Sequence, residues 1–226
     1  MSADAFMAAP LVAIEPVVRS CAPSTGYLRA KRGLDVALAL LAILVTLPLW
    51  LLVAVAVRCS SRGPVLFRQP RVGQHGRTIT VLKFRSMCSD AEARLSDSGL
   101  YDTYVATGYK LPVADERRVT RVGRFLRRSS LDELPQLFNV LRGDMSLVGP
   151  RPVLREELKC YGELVDCYLS VRPGITGMWQ VNGRSHVLFP ARAHLDRDYF
   201  LGRSLRLDLS ILARTPLTVL RGEGAF

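Results

Sequence analysis

From Val36 to Val57 the chain has no charged residue, and this run of about 22 positions is long enough to reach across a bilayer as a helix. Arg29, Lys31 and Arg32 precede it, and Arg58 and Arg62 follow it. Lys and Arg are retained on the cytoplasmic side of a membrane, so basic flanks at both ends suit a segment that enters and returns. Pro48, near the middle, removes one backbone hydrogen bond and crowds the turn before it, while the Thr46 hydroxyl is placed to satisfy a freed carbonyl. Two geometries follow from these residues: a kinked span, or a re-entrant helix-break-helix hairpin. A cleaved signal peptide fits less well, because the run starts too late and is too long.

Beyond Gly63-Pro64 the pattern changes period. Val65-Leu66-Phe67-Arg68 and the alternating Thr78-Ile79-Thr80-Val81-Leu82-Lys83-Phe84-Arg85 flank a turn-rich stretch with Gly73 and Gly76, which predicts a β-hairpin. Residues 90–116 lack sustained periodicity and are assigned a short helix followed by loop. Arg117, Arg121, Arg124 and Arg128 then recur on one helical face, with Val122, Phe125 and Leu126 on another, predicting a basic amphipathic helix. Leu205, Leu207, Leu209, Ile211, Leu212, Leu217, Val219 and Leu220, interrupted by Arg206, Arg214 and Pro216, predict short helices with one apolar side. The fold class expected is α+β, mainly α. Three parts are expected: a tail without packed structure over 1–30, a membrane helix over 31–60, and one membrane-associated domain over 61–226.

Charge sharpens this picture. Lys and Arg number 31 against 20 acidic residues, a formal charge of +11, so the partner should be anionic: polynucleotide, lipid surface or nucleotide pyrophosphate. The apolar run favours the lipid surface over nucleic acid. Five scattered cysteines without a C-x-x-C pair suggest neither a disulfide framework nor a zinc site.

Chemistry concentrates in Ser129-Ser130-Leu131-Asp132-Glu133-Leu134-Pro135-Gln136. Ser130-x-x-Glu133 resembles a capping box, and Pro135 requires a helix that starts close by. Asp132 and Glu133 are therefore expected at a helix start, where the dipole favours an ionised carboxylate suited to attack or to holding magnesium. Such pairs are more often caps than catalysts. Here, however, Arg127 and Arg128 precede the pair, and two stiff turns, Gly149-Pro150-Arg151-Pro152 and Arg172-Pro173-Gly174-Ile175-Thr176-Gly177, each present an arginine suited to phosphate oxygens. His75, His186 and His194 are too dispersed for a metal site or a triad, and Walker-type and dinucleotide-binding motifs are missing.

Together with Lys31-Arg32-x-x-Asp35, Leu82-Lys83-Phe84-Arg85-Ser86-Met87 and Gly143-Asp144-Met145-Ser146-Leu147-Val148, these motifs resemble the monotopic phosphoglycosyl transferases, bacterial sugar transferases of glycoconjugate assembly. The likeness runs from about Lys31 to Phe226 and is closest to short exopolysaccharide-priming members, for which galactose or glucose is the default sugar. The resemblance implies a ping-pong reaction. Asp132 attacks the β-phosphate of a UDP-sugar and expels UMP, and undecaprenyl phosphate then takes the sugar phosphate while Glu133 helps hold Mg²⁺. It also implies that Lys83, Arg85, Arg127, Pro150, Arg151, Pro152, Arg172, Gly174 and Asp196 shape or contact the phosphate site. It favours the re-entrant geometry, with both helix ends on the cytoplasmic face of the inner membrane, and leaves no role for nucleic acid. It says nothing of oligomeric state. One departure stands out: the family often has Ser-Pro at the membrane break, whereas Leu47-Pro48 stands here, so hydroxyl assistance falls to Thr46. The rival reading is a membrane-anchored basic module that binds nucleic acid or anionic lipid without catalysis.

Overall fold

The structure, a computed structural model, describes residues 23–88, 90–91, 99, 101 and 118–221. The expectations for residues 1–22, for most of 90–116 and for Arg117 lie outside the described residues. Within them the protein is mainly helical, with two small two-stranded sheets.

Helix α1, Thr25–Ser60, begins at Thr25 rather than at the expected residue 31. Ser24 caps it by accepting the Tyr27 N–H at 3.2 Å, which satisfies one of the free donors at the helix start. At about 1.5 Å per residue the helix is about 54 Å long. It is long and apolar enough to cross a membrane, and Leu40, Leu44, Val45, Leu51 and Leu52 are exposed along it. Pro48 lies inside this single helix. The Thr46 hydroxyl donates to Ala42 O at 2.6 Å, not to the Leu44 carbonyl that Pro48 leaves without its donor, and it accepts from Trp50 Nε1 at 2.9 Å. A threonine bonded back to its own helix in this way bends the helix rather than repairing the proline gap.

Both ends of α1 are fastened to the same protein body. At its start, Lys31 and Tyr27 meet the buried Asp208 at 3.1 and 3.0 Å, Arg32 donates to Val140 O and Leu141 O, and Asp35 accepts from Leu147 N. At its end, Val53 and Val57 pack with Phe84 and Leu126, and Trp50 meets Phe84 and Phe138 edge-on. The most exposed stretch lies between these attachments.

Strands β1, Leu66–Val72, and β2, Thr78–Phe84, form the expected antiparallel hairpin, with Leu66 opposite Phe84 and Val72 opposite Thr78. Helix α2, Arg121–Arg128, is capped by Thr120. Leu126 is its inward residue, while Phe125, expected beside it on the apolar side, points outward and is 63% exposed. Next comes a 3₁₀ turn at Leu131–Glu133, then α3, Gln136–Arg142, which Gly143 closes in the left-handed conformation at φ 87°.

Strand β3, Ser146–Val148, runs parallel to β4, Gly174–Thr176. The two turns read from sequence as separate phosphate grips are thus neighbours. Their glycines serve chain-to-chain contact first: a Cβ on Gly149 would lie 2.4 Å from Arg172 O, and one on Gly174 would lie 2.1 Å from Gly149 N. Between the strands lie a 3₁₀ segment, Arg155–Leu164, and α4, Val165–Leu169. Helices α5, Met178–Val181, α6, Ala191–Gly202, and α7, Leu205–Arg221, complete the described fold. α7 continues through Pro216, where shorter pieces were expected; Thr215 binds Thr176 at 2.8 Å and Ile211 is buried, so tertiary packing holds the helix across the proline.

Candidate active site

β2 and the turn before α3 meet at a small cleft lined by Arg71, Val81, Lys83, Glu133, Gln136, Arg151, Pro152, Gly174 and Ile175. Alternation along β2 turns Val81 and Lys83 towards this side. The Lys83 ammonium lies 2.7 Å from Glu133 Oε1, and Arg151 Nη1 reaches the same oxygen at 3.2 Å. Burial pushes Glu133 towards its neutral form, but Lys83 and Arg151 outweigh it and hold the carboxyl down at about 2. Lys83 is itself pulled below the usual lysine range by burial.

Asp132 is treated differently. It is 7% exposed and its carboxylate accepts no hydrogen bond from a described residue. Burial pushes it up to about 6, opposed by Lys83, reinforced by the charge on Glu133, and opposed again by Arg127 and Arg151. The pair does not sit at the start of an α-helix, as the sequence led us to expect. α3 starts at Gln136, Ser130 makes no capping bond, and the Glu133 side chain turns to the two cations, so no capping box forms. Desolvation dominates at Asp132, and the result is one carboxyl that is ionised and pinned beside another that is uncommitted.

Arg71 and Glu157 hold the Arg151 turn from behind. Arg71 Nη1 donates to Glu157 Oε2 at 3.0 Å and to Pro152 O at 3.4 Å, and Glu157 also accepts the Leu154 N–H. Pro150 O accepts Gly174 N at 2.7 Å, which joins the two turns. Arg127 Nε donates to the Ser86 hydroxyl at 2.9 Å.

Among the residues proposed from sequence, the structure gathers Glu133, Lys83, Arg151, Pro152 and Gly174 at the cleft, with the buried Asp132 adjoining Glu133 behind its lining and within electrostatic reach of Lys83, Arg127 and Arg151. It does not bring Arg85 there: that guanidinium is 7% exposed and donates to Pro64 O at 2.5 Å and Ser61 O at 2.6 Å, closing the end of α1. Arg172 is exposed and does not line the cleft. Asp196 is 1% exposed in a separate cluster, where Tyr161 OH donates to Oδ2 at 2.7 Å and Oδ1 has no hydrogen-bond partner among the described residues. Pro48 belongs to the exposed part of α1. Arg71, Val81, Gln136 and Ile175 were missed. Only the strand alternation that carries Val81 and Lys83 onto one side signalled any of them.

The donor set fits magnesium. That ion is commonly held by one or two carboxylates with the rest supplied by phosphate and water, and Asp132 and the second oxygen of Glu133 offer such a pair. Among the described residues no group of three or more His, Cys, Asp or Glu could form a closed cage for a metal.

A carboxylate pair beside two cations, one of the pair lining a small cleft, is a charge arrangement suited to anionic groups. The chain belongs to the bacterial sugar transferase family, whose profile matches residues 26–222. It is 40% identical over 198 residues to an undecaprenyl-phosphate galactose phosphotransferase of Salmonella typhimurium, covering 87% of this chain and 41% of that protein. It is 40% identical over 202 residues to the exopolysaccharide production protein ExoY of Sinorhizobium fredii, covering 87% and 88%. A UDP-N-acetylgalactosamine-undecaprenyl-phosphate N-acetylgalactosaminephosphotransferase of Aeromonas hydrophila is 39% identical over 212 residues, covering 91% and 47%. The chain spans about two fifths of the length of the Salmonella relative and of an uncharacterized sugar transferase of Haemophilus influenzae.

Proposed function

We propose that this protein transfers a sugar phosphate from a UDP-sugar to undecaprenyl phosphate, with Asp132 as a covalent nucleophile. One observation carries the reading: Asp132 is buried without a hydrogen-bonded partner among the described residues, while its neighbour Glu133 absorbs Lys83 and Arg151. A carboxylate that no hydrogen bond engages is the better nucleophile, and the cations near it lower the repulsion between it and a pyrophosphate.

In the first half-reaction an Asp132 oxygen bonds to the β-phosphorus and the bond to the bridging oxygen breaks, so UMP leaves with that electron pair. In the second, a phosphate oxygen of the lipid bonds to the same phosphorus and the Asp132 carboxylate departs. Glu133 and Asp132 would hold Mg²⁺, which would supply Lewis-acid neutralisation of the phosphate charge. Arg151 and Lys83 orient the phosphates from the cleft wall. The relatives' names make UDP-galactose and UDP-N-acetylgalactosamine the first donors to try, with exopolysaccharide priming as the role.

The same reading makes α1 a re-entrant membrane helix on the cytoplasmic face. Its support is that one body grips both ends of the helix, through Arg32 and Asp35 at one end and Arg85 at the other. A hydrocarbon core of about 30 Å cannot separate two ends held by one water-facing body. The outward Phe125 with the arginines of α2, and Leu209, Leu217 and Leu220 of α7, suit contact with anionic lipid.

The test uses vesicles holding the protein, Mg²⁺, a UDP-sugar and undecaprenyl phosphate. Release of UMP is expected; release of UDP would mean that the sugar alone is passed and would reject the mechanism.

A further inference from the structure

Ser130 stands two residues before Asp132 with a left-handed backbone, φ 56° and ψ 16°, which non-glycine residues seldom hold unless their surroundings impose it. Its hydroxyl accepts a hydrogen bond from Arg184 Nη2 at 3.0 Å. Arg184 is left-handed as well, at φ 50°. Its other arm, Nη1, reaches Thr218 O on α7 at 3.4 Å. Arg214 of α7 answers in the opposite direction, donating to Asn182 Oδ1 at 2.8 Å and to Val181 O at 3.2 Å. Two arginines therefore clamp the segment after α5 onto α7, and one of them extends to the turn that carries Asp132.

We propose that Arg184 is a positioning residue for that turn: braced on α7, it holds Ser130 left-handed and so fixes the direction of the Asp132 carboxylate. Arg184 acts through Ser130, since it does not line the cleft. A turn of three 3₁₀ residues has little internal rigidity, and misplacing a nucleophile by about 1 Å can cost about 100-fold in rate. The clamp also links the nucleophile to the helix whose outer side bears Leu209, Leu217 and Leu220, the surface assigned above to lipid. This inference rests on the reading of Asp132 as the nucleophile.

The test measures sugar-phosphate transfer by the full chain in vesicles for Arg184→Ala, Ser130→Ala and Ser130→Gly, for Arg184→Ala combined with each Ser130 change, and for Asp132→Asn. Arg184→Ala and Ser130→Ala should each lower kcat by about 10- to 100-fold while KM for the UDP-sugar stays within about twofold. The pH midpoint of activity should not move. Arg184→Ala with Ser130→Ala should be no slower than the slower single variant, because both remove one link. Glycine enters the left-handed region unaided, so Arg184→Ala with Ser130→Gly should run about 10-fold faster than Arg184→Ala with Ser130→Ala. Multiplying losses, a raised KM, or no gain from glycine would each overturn the proposal. If Arg184→Ala does not fold, the Ser130 pair decides alone: glycine faster than alanine supports it, and equality overturns it. Full turnover by Asp132→Asn would sink the nucleophile reading itself; an inactive Asp132→Asn beside a fully active Arg184→Ala would sink only the positioning role.

Discussion

The Lys83 ammonium lies 2.7 Å from Glu133 Oε1 and leaves Asp132, the adjacent carboxyl, outside the ion pair. Adjacent acids with opposite environments are a way to divide two tasks: Glu133 stays charged under all ordinary conditions, while Asp132, pushed up to about 6 by burial, gains its charge close to neutrality. Attack on phosphorus needs the charged form. Activity at limiting UDP-sugar should therefore rise with pH through about 6 and level off above about 7. Lys83→Met removes a cation that favours ionised Asp132 and should move the midpoint upward. Glu133→Gln removes a like charge and frees two cations, so its midpoint should move downward even as the rate falls. A profile that is flat from pH 5 to 8 would contradict this.

The same linkage acts on stability at Asp196, which burial holds up at about 7 against about 3.9 in an unfolded chain. The folded state then keeps a proton that the unfolded state has lost. Stability from this group is fully present below about pH 4 and is lost as pH rises through 7. Thermal unfolding in detergent should show Tm falling from about pH 5 to pH 8, with Asp196→Asn flattening that slope. An equally steep slope in the variant would mean that other groups carry it.

Gly174→Ala sets a Cβ 2.1 Å from Gly149 N, a backbone atom that cannot turn aside. Overpacking of this kind costs roughly 1–3 kcal/mol or more, and separating β3 from β4 should also shift Arg151 and lower turnover. Gly33, within α1, has nothing within 4 Å of its Cβ position, so Gly33→Ala should raise stability by about 1 kcal/mol. Tm measured on both variants checks the contrast.

Topology is accessible through Cys59, exposed near the end of α1. In a variant whose other cysteines are serine, Cys59 and a separately tested Ser24→Cys should both react with an impermeant maleimide from the cytoplasmic side. Reaction from opposite sides would establish a true span.

Much of this architecture can be read directly from the chain. The apolar run, the alternation from Thr78 to Phe84 and the arginine spacing of α2 are local patterns, and each becomes the element it suggests. β3 and β4 escape such reading because each has three residues and their pairing depends on contact between Gly149 and Gly174, which are distant in sequence. The carboxylate pair was visible as chemistry, but its asymmetry was not, since it comes from Lys83 and Arg151 arriving from other elements. Arg85 misleads for the reverse reason. It follows Lys83 by two positions, the strand spacing of one face, yet the strand ends at Phe84, and its side chain goes to the carbonyls at the end of α1.

Transfer through Asp132 requires a bond between its carboxylate oxygen and phosphorus during each turnover. Incubating the protein with Mg²⁺ and a UDP-sugar but no lipid acceptor, quenching in acid and mapping peptides by mass spectrometry should show one hexose-phosphate on residue 132, with UMP released in matching amount and no adduct in Asp132→Asn. UMP release that depends on the lipid acceptor, with residue 132 unmodified throughout, would contradict the account.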